Sequence, residues 1–132
     1  MRVIRLVNVA DCGTPINPKI AHAQLSGAAI MALGATLFER VELDGGQVIN
    51  ASLADYKLPG MHDTPLMLNE LVRSHQRNAP FGAKGLGETG SFCVAPAVAN
   101  ALDDAVGVRL FDLPLMPEAV LRALRVKAGN PL

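Results

Sequence analysis

Apolar positions alternate, cluster and then lapse along this 132-residue chain, and their spacing divides it into elements. Val3 to Ala10 is apolar and β-branched enough for a strand, and Asp11-Cys12-Gly13-Thr14-Pro15 follows as a dense run of turn formers. Asn17-Pro18 predicts a helix start, because asparagine caps free amides and proline at the first helical position sacrifices no hydrogen bond. That helix runs to about Arg40 and is rich in small residues, among them Ala21, Ala23, Ser26, Gly27, Ala28, Ala29, Ala32, Gly34 and Ala35. An interior glycine costs about 1 kcal/mol relative to alanine, so Gly27 and Gly34 predict that something packs close to the helix axis.

Val41 to Leu43, the turn Asp44-Gly45-Gly46 and Gln47 to Leu53 predict a β-hairpin, and Tyr56 to Pro65 a loop. Leu66 to Val72 suits a strand, although Asn69-Glu70-Leu71 equally suits a short helix. A long loop from Ser74 to about Ala95 precedes a helix opened by Pro96, with Val98, Ala99, Leu102 and Val106 at helical spacing and Gly107 as its stop. Val108 to Leu113 reads as a last strand, and Pro117-Glu118 starts a helix to about Arg125. The predicted fold class is α+β: a mixed sheet with one long small-residue helix and two shorter ones, residues 1–132 forming a single domain.

Composition narrows the function classes. Half the residues are apolar and the mean hydropathy is +0.28, enough for a core of its own. Twelve basic and twelve acidic residues cancel without any block of like charge, so no nucleic-acid partner is expected. Cys12 and Cys93 form no CxxC pair and read as reduced thiols of an intracellular protein. His22, His62 and His75 share no metal-ligand spacing with each other or with the cysteines, and no metal ligand is assigned. The amino-terminal stretch meets Asp11 before any apolar region long enough for a signal peptide. The longest largely apolar run, Leu25 to Phe38, is shorter than the roughly 20 residues of a membrane span, so no span is expected. The expected compartment is the cytoplasm, with the periplasm as the alternative if a partner carries an export signal.

The stretch Ala79-Pro80-Phe81-Gly82-Ala83-Lys84-Gly85-Leu86-Gly87-Glu88-Thr89-Gly90 carries the candidate chemistry. Gly85 to Gly90 satisfies G-x-G-x-x-G, but a dinucleotide site needs a strand running into the first glycine and a helix starting near the second. Here Pro80 and Gly82 interrupt the approach and the next helix is delayed, so a nucleotide-binding oxidoreductase is a minor alternative, with Asp112 at the distance of a ribose-binding acid. Lys84 precedes Gly85 where a P-loop needs lysine after the last glycine. What remains is Glu88 flanked by residues without bulk: a solvated loop acid, or a carboxylate aimed into a crowded site. A carboxylate buried there would titrate closer to neutrality and could act as a general base.

These residues, taken with others in order, resemble the molybdenum hydroxylases, the xanthine oxidase and aldehyde oxidoreductase family, in the C-terminal part of the large molybdopterin-binding subunit. The resemblance rests on Val9-Ala10-Asp11-Cys12-Gly13, Ile16-Asn17-Pro18, Gln24 in the long helix, Asp55-Tyr56 with Pro59, and Gly82 to Glu88. It continues through Ala95 to Ala101, Leu113-Pro114-Leu115 and Pro117-Glu118, and so covers nearly the whole chain.

The resemblance implies that the chain is part of a larger molybdopterin-binding domain. Glu88 would be the general base in hydroxylation of an N-heteroaromatic or aldehyde with water-derived oxygen. Gly85, Gly87, Gln24 and Lys84 would line a molybdopterin-type molybdenum cofactor. Gln24 either faces that cofactor or packs, and Lys84 orients the loop, contacts an anionic group or is solvated. Where the family often has a second glutamine, Met31 stands here, and Met116 replaces the threonine that often caps the last helix.

The family's upstream cofactor contacts and its iron-sulfur cysteine sets are not in this sequence. The implied partners are therefore the remainder of the large subunit and an iron-sulfur subunit. Alone, the chain is expected to be inactive. The alternative function is a catalytically silent folding or assembly module, which could self-associate into a homo-oligomer.

Overall fold

The computed structural model describes residues 1–130. Strand β1 (Arg5–Asp11) leads through the turn formers into helix α1 (Pro18–Leu37). The short strands β2 (Leu43–Asp44) and β3 (Gln47–Val48) follow, then β4 (Leu66–Val72), helix α2 (Val94–Val106) and helix α3 (Pro117–Lys127). A single 3-10 turn, Pro80–Gly82, lies between β4 and α2.

β1 and β4 pair in parallel from Arg5 opposite Leu66 to Asp11 opposite Val72, with α1 as the principal element of the crossover. This resolves Leu66 to Val72 as a strand. The α+β class and the three helices hold, and the pairings fall into two separate two-stranded sheets, one parallel (β1-β4) and one antiparallel (β2-β3). The hairpin is shorter than expected and turns on Gly45 and Gly46, both at positive φ (52° and 84°), a conformation that suits glycine.

Residues 108–113, expected as a strand, pair with no sheet. Arg109 is drawn back onto α2 by Asp103 (2.6 Å) and Asn100 (3.2 Å), and the Leu115 amide is anchored on the Thr36 carbonyl. Three helix boundaries shift slightly: the end of α1, the start of α2 and the end of α3. Asn17 caps α1 through the Ile20 amide, whereas Met116 gives α3 no side-chain cap, as its apolar side chain dictates. α2 begins at Val94, so Pro96 lies within its first turn, where the proline's missing N–H costs nothing.

Ala29, Leu33 and Leu37 on α1 form the core with Val94 and Val98 on α2 and with Leu115. Two of the small α1 positions serve close contacts. Gly34 lies under Pro59, whose ring would sit 2.9 Å from an added Cβ, and Ala28 lies beside Gly90. Gly27 meets no atom within 4 Å. It lies on an exposed stripe with Ile20, Gln24 and Met31, so α1 is apolar nearly all round.

With 20 residues and a mean hydropathy of 1.3, α1 is long and apolar enough to cross a membrane. The expectation of no such segment missed it by starting the apolar run at Leu25. Seven buried residues of α1, with Leu25, Ala29 and Leu33 the most deeply enclosed, give it the packing of a core helix.

Candidate active site

The end of β1 and the first half of α1 hold the glycine loop by its backbone and side chains. At its entrance Gly13 bridges to Ala83, the Thr14 amide donates to the Gly82 carbonyl (3.0 Å), and the Lys84 amide donates to the Cys12 carbonyl (2.9 Å). This close approach explains Gly13 and Gly82, at φ 63° and 72°. A Cβ on Gly13 would lie 2.3 Å from the Gly82 carbonyl oxygen, and one on Gly82 would meet the His75 ring. Phe81, in the middle of the 3-10 turn, is itself at φ 57° and 82% exposed.

Farther along the loop, Gln24 Nε2 donates to the Gly87 carbonyl (2.6 Å) and Asn8 Nδ2 to the Gly90 carbonyl (3.1 Å). Gly90 is buried against the Leu25 carbonyl, which a Cβ would approach to 2.8 Å. Ser91 closes the stretch by donating from both its amide and its hydroxyl to the Glu88 carbonyl.

Lys84 Nζ donates to Asp11 Oδ2 (2.6 Å). Ser74 Oγ donates to the same oxygen (2.6 Å), and the Gly13 amide to Asp11 Oδ1 (2.9 Å). The Lys84 ammonium first, then Ser74 and Gly13, hold the Asp11 carboxyl well below the usual carboxylate range. The sequence-based site omitted Asp11, Ser74 and Asn8. Asp-x-Gly was the available signal for Asp11, since an aspartate that accepts from the amide two residues on makes an Asx turn.

Glu88 is exposed, and among the described residues no hydrogen bond holds its carboxylate. The crowded setting considered from sequence is therefore not provided by this chain, because nothing here covers the outer flank of the loop. Gly85 and Gly87 both have open space where a side chain would begin. The amides from Gly85 to Thr89 donate to no protein acceptor among the described residues. Beside them, a pocket of about 260 Å³ is lined by Cys12, Thr14, Ile20, Ala83, Lys84 and Leu86 among others. Free amides, absent side chains and an adjoining hollow fit an oxygen-rich group lying along the loop. A larger cleft of about 510 Å³, lined by Arg40, Glu42, Asp112 and Arg122 among others, includes no residue of the glycine loop.

The nucleotide alternative loses its geometry. β4 ends at Val72, a 3-10 turn precedes Gly85, and α2 starts only at Val94, past the last glycine. Helix amides therefore do not face the space a pyrophosphate would need. Asp112 lies in the other cleft. The cysteines are free, Cys12 buried and Cys93 exposed, and no group of three or more potential metal ligands occurs among the described residues.

Comparison with known proteins identifies the family of the chain. Residues 1–65, which include Asp11 and Gln24 but end before the glycine loop, match the molybdopterin cofactor-binding domain family. The chain is 39% identical over 116 residues to the xanthine dehydrogenase molybdenum-binding subunit of Escherichia coli O157:H7, covering 86% of this chain and 15% of that protein. It superimposes on quinoline 2-oxidoreductase from Pseudomonas putida 86 with a TM-score of 0.88 and 34% identity, covering 94% of this chain and 16% of the other. Against the aldehyde oxidoreductase of Desulfovibrio gigas the TM-score is 0.85 at 30% identity, covering 94% and 14%. The chain spans 13% to 17% of the length of the curated relatives it matches. The fold, the ordered motifs and these likenesses agree: the chain belongs to the molybdenum hydroxylase family, with the xanthine dehydrogenases and aldehyde oxidoreductases.

Proposed function

We propose that this chain is the C-terminal segment of a molybdenum hydroxylase large subunit, and that it supplies Glu88 as general base for oxidation of an N-heteroaromatic or aldehyde with water-derived oxygen. The observation that carries this reading is the loop itself. Glu88 projects unpaired from a backbone anchored before it by Lys84 and Cys12 and beside it by Gln24. When bound, the molybdenum cofactor would supply a Lewis acid and an acceptor for two electrons.

The chain's own residues do the rest. Gly85 and Gly87 would leave room for the cofactor, and the amides from Gly85 to Thr89 would be free to hold it by donating hydrogen bonds. Gln24 and Lys84 hold the loop in register, and the exposed Gln24 would border the cofactor. The Glu88 carboxylate takes a proton from the attacking water oxygen and returns it to solvent once the reaction is over.

Two surfaces support a larger body around this segment. The outer face of the β1-β4 pair shows Val7, Val9, Leu66, Leu68 and Val72 between 45% and 62% exposed. Parallel strands normally have both faces covered, and a helix that is apolar all round is normally buried. The remainder of the large subunit is the proposed cover, with iron-sulfur clusters on a partner subunit.

The test is Glu88→Gln in the assembled enzyme. Turnover should fall by about 10²- to 10⁴-fold, the usual worth of a positioned base, while molybdenum content is unchanged. Full turnover in that variant would leave the chain as a silent assembly module.

A further inference from the structure

The Asp11 side chain ties its own turn to two later segments at the foot of the glycine loop. Its carboxylate accepts from Lys84 at the loop entrance, from Ser74 just past β4, and from Gly13 in the turn beneath the loop. Around this point the backbone is closely interlocked by the Gly13–Ala83 bridge and by the bonds from Thr14 to Gly82 and from Lys84 to Cys12.

We infer that Asp11 is a positioning residue for Glu88. It fixes Lys84, and with it the start of the run Gly85-Leu86-Gly87-Glu88, while Gln24 fixes the Gly87 carbonyl immediately before Glu88. Two glycines in that run give the backbone wide freedom, so a carboxylate at its far end stays in place only if both ends are held. The Lys84–Asp11 pair is about a third exposed on each side, and such pairs contribute little to global stability. Its consequence therefore falls on loop placement. The pairing also occupies the Lys84 ammonium, so the loop does not offer a free cation four residues before its base. The inference rests on the hydroxylase reading for the word base, and on this chain alone for the loop.

The experiment has two arms. In the chain by itself, backbone relaxation should show Asp11→Asn lowering order parameters from Lys84 to Glu88 from about 0.85 to below about 0.6, with α2 unchanged at Val98 and Leu102. Lys84→Arg, which keeps the pairing charge, should preserve loop order. In the assembled enzyme, Asp11→Asn should lower kcat about 10- to 100-fold with KM within about twofold and molybdenum retained.

An unchanged loop in Asp11→Asn, or a loss of order spread evenly over α1 and α2, overturns the inference. So does a loosened loop with kcat intact in an enzyme that Glu88→Gln inactivates. If instead Glu88→Gln leaves turnover whole, the hydroxylase reading fails, while a loosened loop in Asp11→Asn still upholds Asp11 as the residue that orders it.

Discussion

At the scale of single residues, the site depends on atoms that are missing as much as on those present. Gly13 sits at positive φ with the Gly82 carbonyl where its Cβ would go, a backbone contact that cannot swing aside. The left-handed conformation alone costs an alanine roughly 1–2 kcal/mol. Gly13→Ala should therefore destabilise the chain by at least about 2 kcal/mol in urea unfolding, overpacking included.

Asp11 makes a prediction in pH. Its carboxyl is depressed in the folded chain, chiefly by Lys84, so its contribution to stability is present above the unfolded value of about 3.9. That contribution is lost as pH falls through the lower folded value. The stability difference between wild type and Asp11→Asn should thus be small, full near about pH 6, and should shrink as pH falls below the unfolded value. Glu88 and Lys84 were recognisable from sequence because glycines frame them. Asp11 was quoted within a motif without a role, since its partners at positions 74 and 84 come to it only through the β1-β4 pairing.

At the scale of elements, α1 separates two meanings of a helical glycine that sequence cannot tell apart. Gly34 has Pro59 against it, and Tyr56, donating to Glu39, secures the same loop on the end of the helix. Gly34→Ala should cost about 1–3 kcal/mol, because an added Cβ would displace the Glu39 carboxylate that holds Tyr56 and press on the proline ring. Gly27 faces open space in this chain, so Gly27→Ala should raise stability by about 1 kcal/mol through helix propensity. Thermal or urea unfolding of the two variants, with changes of opposite sign expected, checks both.

The helices were foreseen with small boundary shifts because caps and prolines act locally. The lost strand at 108–113 shows the opposite case. Its apolar residues read as a strand, yet Arg109 is held by Asp103 on α2 and the segment joins neither sheet.

At the scale of the molecule, the chain layers α1 on one face of the β1-β4 pair. α1 covers the inward-pointing residues of β1 and β4 (Leu6, Asn8 and Ala10 in β1), and the opposite face remains apolar and open. Val7 and Leu68 lie directly opposite each other there. The pair Val7→Lys with Leu68→Glu places complementary charges across exposed positions, so the isolated chain should keep its stability within about 0.5 kcal/mol. Association with the remainder of the large subunit, measured by co-purification, should be lost. Retained association would show that this face is not the covered one.

The sequence by itself determined the α+β class, the three helices and the family, because caps, turn residues and ordered motifs are properties of neighbouring positions. The tertiary structure alone decided that β1 and β4 pair in parallel, that Gln24 holds Gly87, and that Lys84 serves Asp11. Those facts depend on which distant residues the crossover brings within hydrogen-bond reach, and no local pattern encodes that distance.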